Sequence, residues 1–226
     1  IMDTSGSMGH HIVDENGVSV PRITYAKQKI NEVLGLFAAE DKYNLKLIHF
    51  NGQPILNEIG ALSTSVFDSS VKPTIDSYGA GGGTPLSQSV HLATDLLLSS
   101  DATQQSLIIL SDGQDDRGVG ALTSAMTDLN TRTGGNVMIQ FFALGVNPQT
   151  WSEFKQISSV INLGTLFLVE SGANGDDFFS LTYDAISGNW KSAQLRNNVG
   201  RRLGHVHAEN VHVISALDRS AQRDRY

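Results

Sequence analysis

Three short segments carry side chains that could do chemistry together: Asp3-Thr4-Ser5-Gly6-Ser7-Met8-Gly9, Gly82-Gly83-Thr84-Pro85-Leu86 and Leu110-Ser111-Asp112-Gly113. They offer two carboxylates, Asp3 and Asp112, and three hydroxyls, Ser5, Ser7 and Thr84, with no His or Cys among them. Oxygen donors of this kind suit a hard cation, Mg²⁺, Mn²⁺ or Ca²⁺, and disfavour zinc and copper. Mg²⁺ asks for near-octahedral geometry at about 2.0–2.1 Å. Ser5 and Ser7 stand two apart, and Gly6 between them lets the backbone turn tightly enough for both to face one ion. Neutral hydroxyls leave such an ion electron-poor, so it can accept a further carboxylate from outside. The competing reading is helix capping, which uses Ser and Thr with no metal at all.

These segments need elements to hold them. Ile1-Met2-Asp3 reads as the end of a buried strand, and a strand normally runs about 5–6 residues, so residues upstream of Ile1 are expected. Residues 22–39 place Ile23, Ala26, Ile30, Val33, Leu34 and Phe37 at helical spacing. Residues 44–50 read as a strand, Asn51-Gly52 as a turn, and 54–59 as a short antiparallel edge strand. A short helix over 65–76 is expected to break or kink near Pro73. The glycine run 79–83 is a loop, and Thr84-Pro85 is expected to open a helix to about Leu98, with Thr84 as its N-cap. Residues 106–110 and 137–144 are continuous apolar runs, typical of strands buried on both faces. Helices are predicted over 119–132, 149–160 and 176–187, and a strand over 165–169. Alternating strands and helices predict an α/β fold with a mostly parallel sheet of about six strands and helices on both faces. In such sheets ligands bind beyond the carboxyl ends of the strands, where all three segments would meet.

The pattern Asp-x-Ser-x-Ser, then a distant Thr, then a distant Asp resembles the metal-ion-dependent adhesion site of the von Willebrand factor A domain. Here it is Asp3, Ser5, Ser7, Thr84 and Asp112, and the resemblance covers roughly residues 1–188. It implies a Rossmann-like sheet ringed by helices and a metal-mediated protein interaction module rather than an enzyme. The partner it implies is a protein presenting Asp or Glu, and the cofactor is Mg²⁺, with Mn²⁺ or Ca²⁺ as alternatives. The forms DTSGSMG, GGGTPL and LSDGQDD resemble the bacterial branch, which includes magnesium-chelatase-type subunits and partners of AAA+ ATPases. An assembly subunit of an AAA+ machine is therefore the alternative use of the same site. His10-His11 stand where a second metal site of integrin β-type A domains would draw carboxylates, so that second site is not expected. The loop 10–21 is long, holds Asn16-Gly17, and could form a hairpin beside the site as a specificity element.

Composition narrows the classes further. The chain has 226 residues, 40% apolar and 17% charged, enough to bury a core. With no cysteine it has no disulfide, zinc–thiolate site or Cys nucleophile. Residues 1–188 carry 9 Lys/Arg against 20 Asp/Glu, and residues 189–226 carry 7 against 3. An acidic body argues against nucleic-acid binding. No run of 18 apolar residues is present to span a membrane. A haloacid-dehalogenase-type phosphohydrolase would need a second acid where Ser5 stands, and a hydroxyl does no acid–base work near neutrality. Asp115-Asp116-Arg117 read as an ordinary exposed loop, with a negative rim to the site as the other reading, and His49 and His91 read as packing or surface residues. Two domains are expected: the A domain over 1–188, and a C-terminal extension or linker over 189–226 that belongs to a larger polypeptide or assembly.

Overall fold

The computed structural model describes residues 1–113, 115–170, 182–183 and 186–187. Eight strands are present among them: β1 (Met2–Asp3), β2 (His11–Val13), β3 (Ser19–Pro21), β4 (Tyr43–Phe50), β5 (Pro54–Leu62), β6 (Gln105–Ser111), β7 (Val137–Leu144) and β8 (Gly164–Val169). The helices are α1 (Arg22–Glu40), α2 (Thr64–Val66), α3 (Lys72–Ser77), α4 (Leu86–Leu98), α5 (Val119–Arg132) and α6 (Pro148–Ser158). Six strands form one sheet in the order β5-β4-β1-β6-β7-β8, and β2 and β3 form a separate hairpin. Every pair in the large sheet is parallel except β4–β5. This is the α/β architecture expected, with the antiparallel strand at the edge and β6 in the interior.

The apolar strands show why both faces are covered. Every residue of β7 is buried. Along it, Ile139, Phe141 and Ala143 point to one core, with α4, α5 and α6. Phe142 and Leu144 point to the other, with α1 and α3. The period of two sends alternate side chains to opposite faces, so an all-apolar strand needs helices on each side. Burying a side chain such as Phe141 or Phe142 stabilises the fold by about 1.5–3 kcal/mol.

Some local expectations needed correction. The edge strand β5 runs to Leu62 rather than ending near residue 59, with an irregularity opposite Leu45/Lys46. The helical stretch over 64–77 does not break at Pro73. The local irregularity expected near Pro73 is a π-helical turn at Phe67–Val71, which leads directly into α3, with Pro73 at its second residue. Of the helix expected over 176–187, only 182–183 and 186–187 fall within the described residues, and the Tyr183 ring packs tilted against Phe37 of α1 with ring centroids 5.3 Å apart. The extension over 189–226 lies outside them.

Candidate functional site

The first segment leaves β1 in the middle of the sheet and winds into a single 3-10 turn, Gly6–Gly9. It is lashed down on two sides. Thr4 Oγ1 donates to the Phe50 carbonyl at the end of β4. The glycine loop closes over it through Gly6 N–H to Gly82 O at 3.0 Å and Gly81 N–H to Thr4 O at 2.8 Å. Gly82 has φ +73°, and a Cβ there would lie 2.3 Å from Asn51 Oδ1. Only glycine lets the second segment lie this close to the turn between β4 and β5.

The five expected residues gather at the carboxyl ends of β1 and β6. Asp3 Oδ1 accepts Ser5 N–H at 2.8 Å, and Asp3 Oδ2 accepts the Ser111 hydroxyl at 2.6 Å. Ser5 Oγ lies 3.0 Å from Ser7 Oγ, and Ser7 Oγ donates to Asp112 Oδ1 at 2.7 Å. A Cβ on Gly113 would stand 3.5 Å from Ser7 Oγ and 3.8 Å from Thr84 Oγ1, so those two hydroxyls border one small space. Asp3, Ser5, Thr84 and Asp112 are buried and Ser7 is half-buried, while Gly6, Gly9, His10 and Gly82 around them are exposed. Burial pushes the Asp3 carboxyl up to about 6, and the charge of Asp112 pushes the same way, against the hydrogen bonds from Ser111 and Ser5.

Capping does not account for these hydroxyls. Ser5 precedes the 3-10 turn without capping it. The expectation that Thr84 caps α4 fails: the cap position is Pro85, the helix starts at Leu86, and no side chain of the cap residue bonds to it. The exposed-loop reading holds for Asp116 and Arg117 but is corrected at Asp115. Asp115 is buried, and its carboxylate accepts the backbone N–H groups of Ser87, in the first turn of α4, and Arg117. Asp116 is exposed but accepts Thr84 N–H at 2.9 Å. These two carboxylates hold the second segment in place, and negative charge there also complements the amino end of α4.

Arg22 escaped the sequence reading. Its Nη1 lies 2.7 Å from Asp112 Oδ2 and its Nη2 donates to Gly145 O at 2.6 Å. A signal for it was present, since Arg at the first position of a helix opposes the helix dipole and asks for another reason to be there. Ser111 was passed over as well, although it adjoins Asp112 in the sequence. The loop 10–21 forms the expected hairpin, paired His11↔Pro21, Ile12↔Val20 and Val13↔Ser19. His10 and His11 are exposed. His49 stacks on Tyr78 with centroids 4.1 Å apart, and His91 lies 3.5 Å from Asp128 on the surface. Among the described residues no three His, Cys, Asp or Glu side chains form a metal-binding group. The cluster at the site is two carboxylates and hydroxyls.

The von Willebrand factor type A domain family matches residues 1–180. The chain belongs to that family. No curated relative matches it. Among solved structures it is similar to a von Willebrand factor type A protein from Catenulispora acidiphila, 19% identical, TM-score 0.58, over 82% of this chain and 41% of that one. It is similar also to the PilB minor pilin of Streptococcus sanguinis, 12% identical, TM-score 0.65, over 81% of this chain and 59% of the pilin. A third is the vWF domain of the type V pili tip protein Mfa5 from Porphyromonas gingivalis, 10% identical, TM-score 0.64, over 83% and 93%. The chain thus spans less than two thirds of the first two proteins. At these identities the likeness shows the shared fold. This A domain has no helix among its described residues long and apolar enough to cross a membrane.

Proposed function

We propose that this A domain is a protein interaction module in which a divalent cation, Mg²⁺ or else Mn²⁺ or Ca²⁺, is held by Asp3, Ser5, Ser7, Thr84 and Asp112 and captures an Asp or Glu side chain of a partner. One observation carries the reading: three hydroxyls and two carboxylates from three distant segments meet at one rim of the sheet, and neither Ser5 nor Thr84 is spent as a helix cap. The donor set fits a hard cation. A buried Asp3 whose carboxyl is raised to about 6 gains from a neighbouring positive charge. When bound, the ion supplies positive charge that offsets the desolvation of an incoming carboxylate. The chain's own part is positional. Asp3 orients the turn through Ser5 N–H, Ser7 links that turn to Asp112, and Asp116 holds the Thr84 backbone. The structural neighbours favour a use in surface assemblies over the AAA+ alternative, since two of them are a minor pilin and a pilus tip protein.

The test is thermal unfolding in Mg²⁺ and in EDTA. At about 100 times its dissociation constant, a ligand bound only to the native state adds about 2.7 kcal/mol. For a domain of this size that raises Tm by about 5–10 °C. Thr84→Ala and Asp3→Ala should fold and lose the increment. An equal Mg²⁺ increment in Thr84→Ala, or none in the parent protein, contradicts the reading.

A further inference from the structure

Arg22 is the one cation that touches the five-residue cluster among the described residues, and it is tightly seated. The hairpin β2–β3 delivers it: Arg22 N–H bonds to His10 O at 2.7 Å, closing the hairpin at its base beside the 3-10 turn. The guanidinium then bridges Asp112 Oδ2 and Gly145 O, at the end of β7. Gly145 makes room for it, since a Cβ there would lie 2.8 Å from Arg22 Nε. The Asp112 side chain is fully buried and that of Arg22 is 15% exposed. Both Asp112 oxygens are therefore occupied, one by the Ser7 hydroxyl and one by Arg22. Asp115 and Asp116 are also close, but their carboxylates rest on backbone N–H groups of Ser87, Arg117 and Thr84.

We propose that Arg22 is a specificity-determining residue of this site: its positive charge against Asp112 raises the potential at the cation-loaded centre, which weakens its hold on the metal and strengthens its hold on an external carboxylate. The inference rests on the cation site proposed above. Asp3 and Asp112 would hold the ion, while Asp115 and Asp116 keep their negative charges on backbone N–H groups nearby. Arg22 adds one positive charge directly against Asp112 in a half-buried setting, where Coulomb interactions are several times stronger than in bulk water. That charge opposes the ion and favours an incoming carboxylate. Arg22 touches neither ion nor ligand in this account, and it acts through Asp112.

Such a role has a signature that a purely structural counter-ion does not: removing the charge should move two affinities in opposite directions. Mn²⁺ binding is measured by calorimetry on the full chain, and acetate binding to the Mn²⁺-loaded protein by paramagnetic relaxation of the acetate methyl protons. Arg22→Gln should bind Mn²⁺ about tenfold more tightly and bind acetate at least about threefold more weakly. Arg22→Lys keeps the charge but loses the two-nitrogen fork across Asp112 and Gly145, and should shift both affinities less than Arg22→Gln does. If Arg22→Gln is unstable, Arg22→Met keeps the apolar stem and carries the same expectation. Mn²⁺ affinity that is unchanged or weaker in the neutral variants, or unchanged acetate binding, overturns the inference while leaving the cation site standing. Neutral variants that both fail to fold beside a folded Arg22→Lys make Arg22 a fold-holding counter-ion, which also overturns it. A parent protein that binds no Mn²⁺ brings down the cation site and this inference together.

Discussion

Asp112 and Asp115 stand three residues apart after the same strand, and both are buried, yet their carboxylates are used in different ways. Asp115 accepts from backbone N–H groups of Ser87 and Arg117. Asp112 accepts from two side chains, the Ser7 hydroxyl and the Arg22 guanidinium. A backbone donor is fixed by the fold and has no rotamer to change. A hydroxyl can rotate and a guanidinium can shift, so their acceptor can be shared with an ion or released to it. The difference separates a carboxylate that builds the site from one that can take part in it, and residue type alone does not reveal which is which.

The largest expected effect breaks the building side. Asp115→Ala leaves two N–H donors without their charged acceptor, one of them in the first turn of α4. The cost should be about 2–4 kcal/mol, lowering Tm by roughly 5–15 °C. Urea melts should show the same loss in Mg²⁺ and in EDTA. A loss that appears only with Mg²⁺ would place Asp115 among the ion's own ligands and erase the contrast with Asp112.

A somewhat smaller effect follows from Asp3. Its folded-state carboxyl, raised to about 6 from 3.8, holds its proton more tightly than the unfolded chain does. Between about pH 4 and pH 6 the native state therefore binds the extra proton, and this group's contribution to stability falls as pH rises through that window. Two pKa units correspond to about 3 kcal/mol. In EDTA the parent protein should lose up to that amount from this residue between pH 4 and 7. Asp3→Asn should flatten the trend, and Mg²⁺ should reverse it at pH 7. An Asp3→Asn profile that follows the parent's would show that Asp3 is not the group responsible.

The smallest effect on the fold sharpens the participating side. Thr84→Ser keeps the oxygen and removes one methyl, at about 1 kcal/mol or less, and should retain the Mg²⁺-dependent rise in Tm. Loss of that rise in Thr84→Ser would mean that the methyl packing, not the hydroxyl, matters at this position.

Much of this arrangement was readable before the structure. The bounds of β7 and α5 follow from an apolar run and from helical spacing, both local signals, and Asn16-Gly17 marked the hairpin. The five residues of the cluster were legible because their types and order form one pattern in three pieces. The unread parts depend on distant chain segments meeting. Arg22 and Asp112 lie 90 positions apart, and nothing local to either announces the pairing. Thr84 followed by Pro85 satisfies the local rules for a cap, yet its hydroxyl lies beside Gly113 and the amino end of α4 is served by Asp115 from another loop. Asp115 itself read as exposed because a run of charged residues usually is. Its burial requires the α4 amino terminus beside it, which only the fold supplies.

The most direct measurement is anomalous diffraction from crystals soaked in Mn²⁺. One strong peak is expected at the rim, within about 2.5 Å of Ser5 Oγ and Ser7 Oγ and close to Thr84 Oγ1, and it should be lost in Thr84→Ala crystals. A peak elsewhere on the domain with none at this rim, or a peak there that survives Thr84→Ala undiminished, would contradict the assignment.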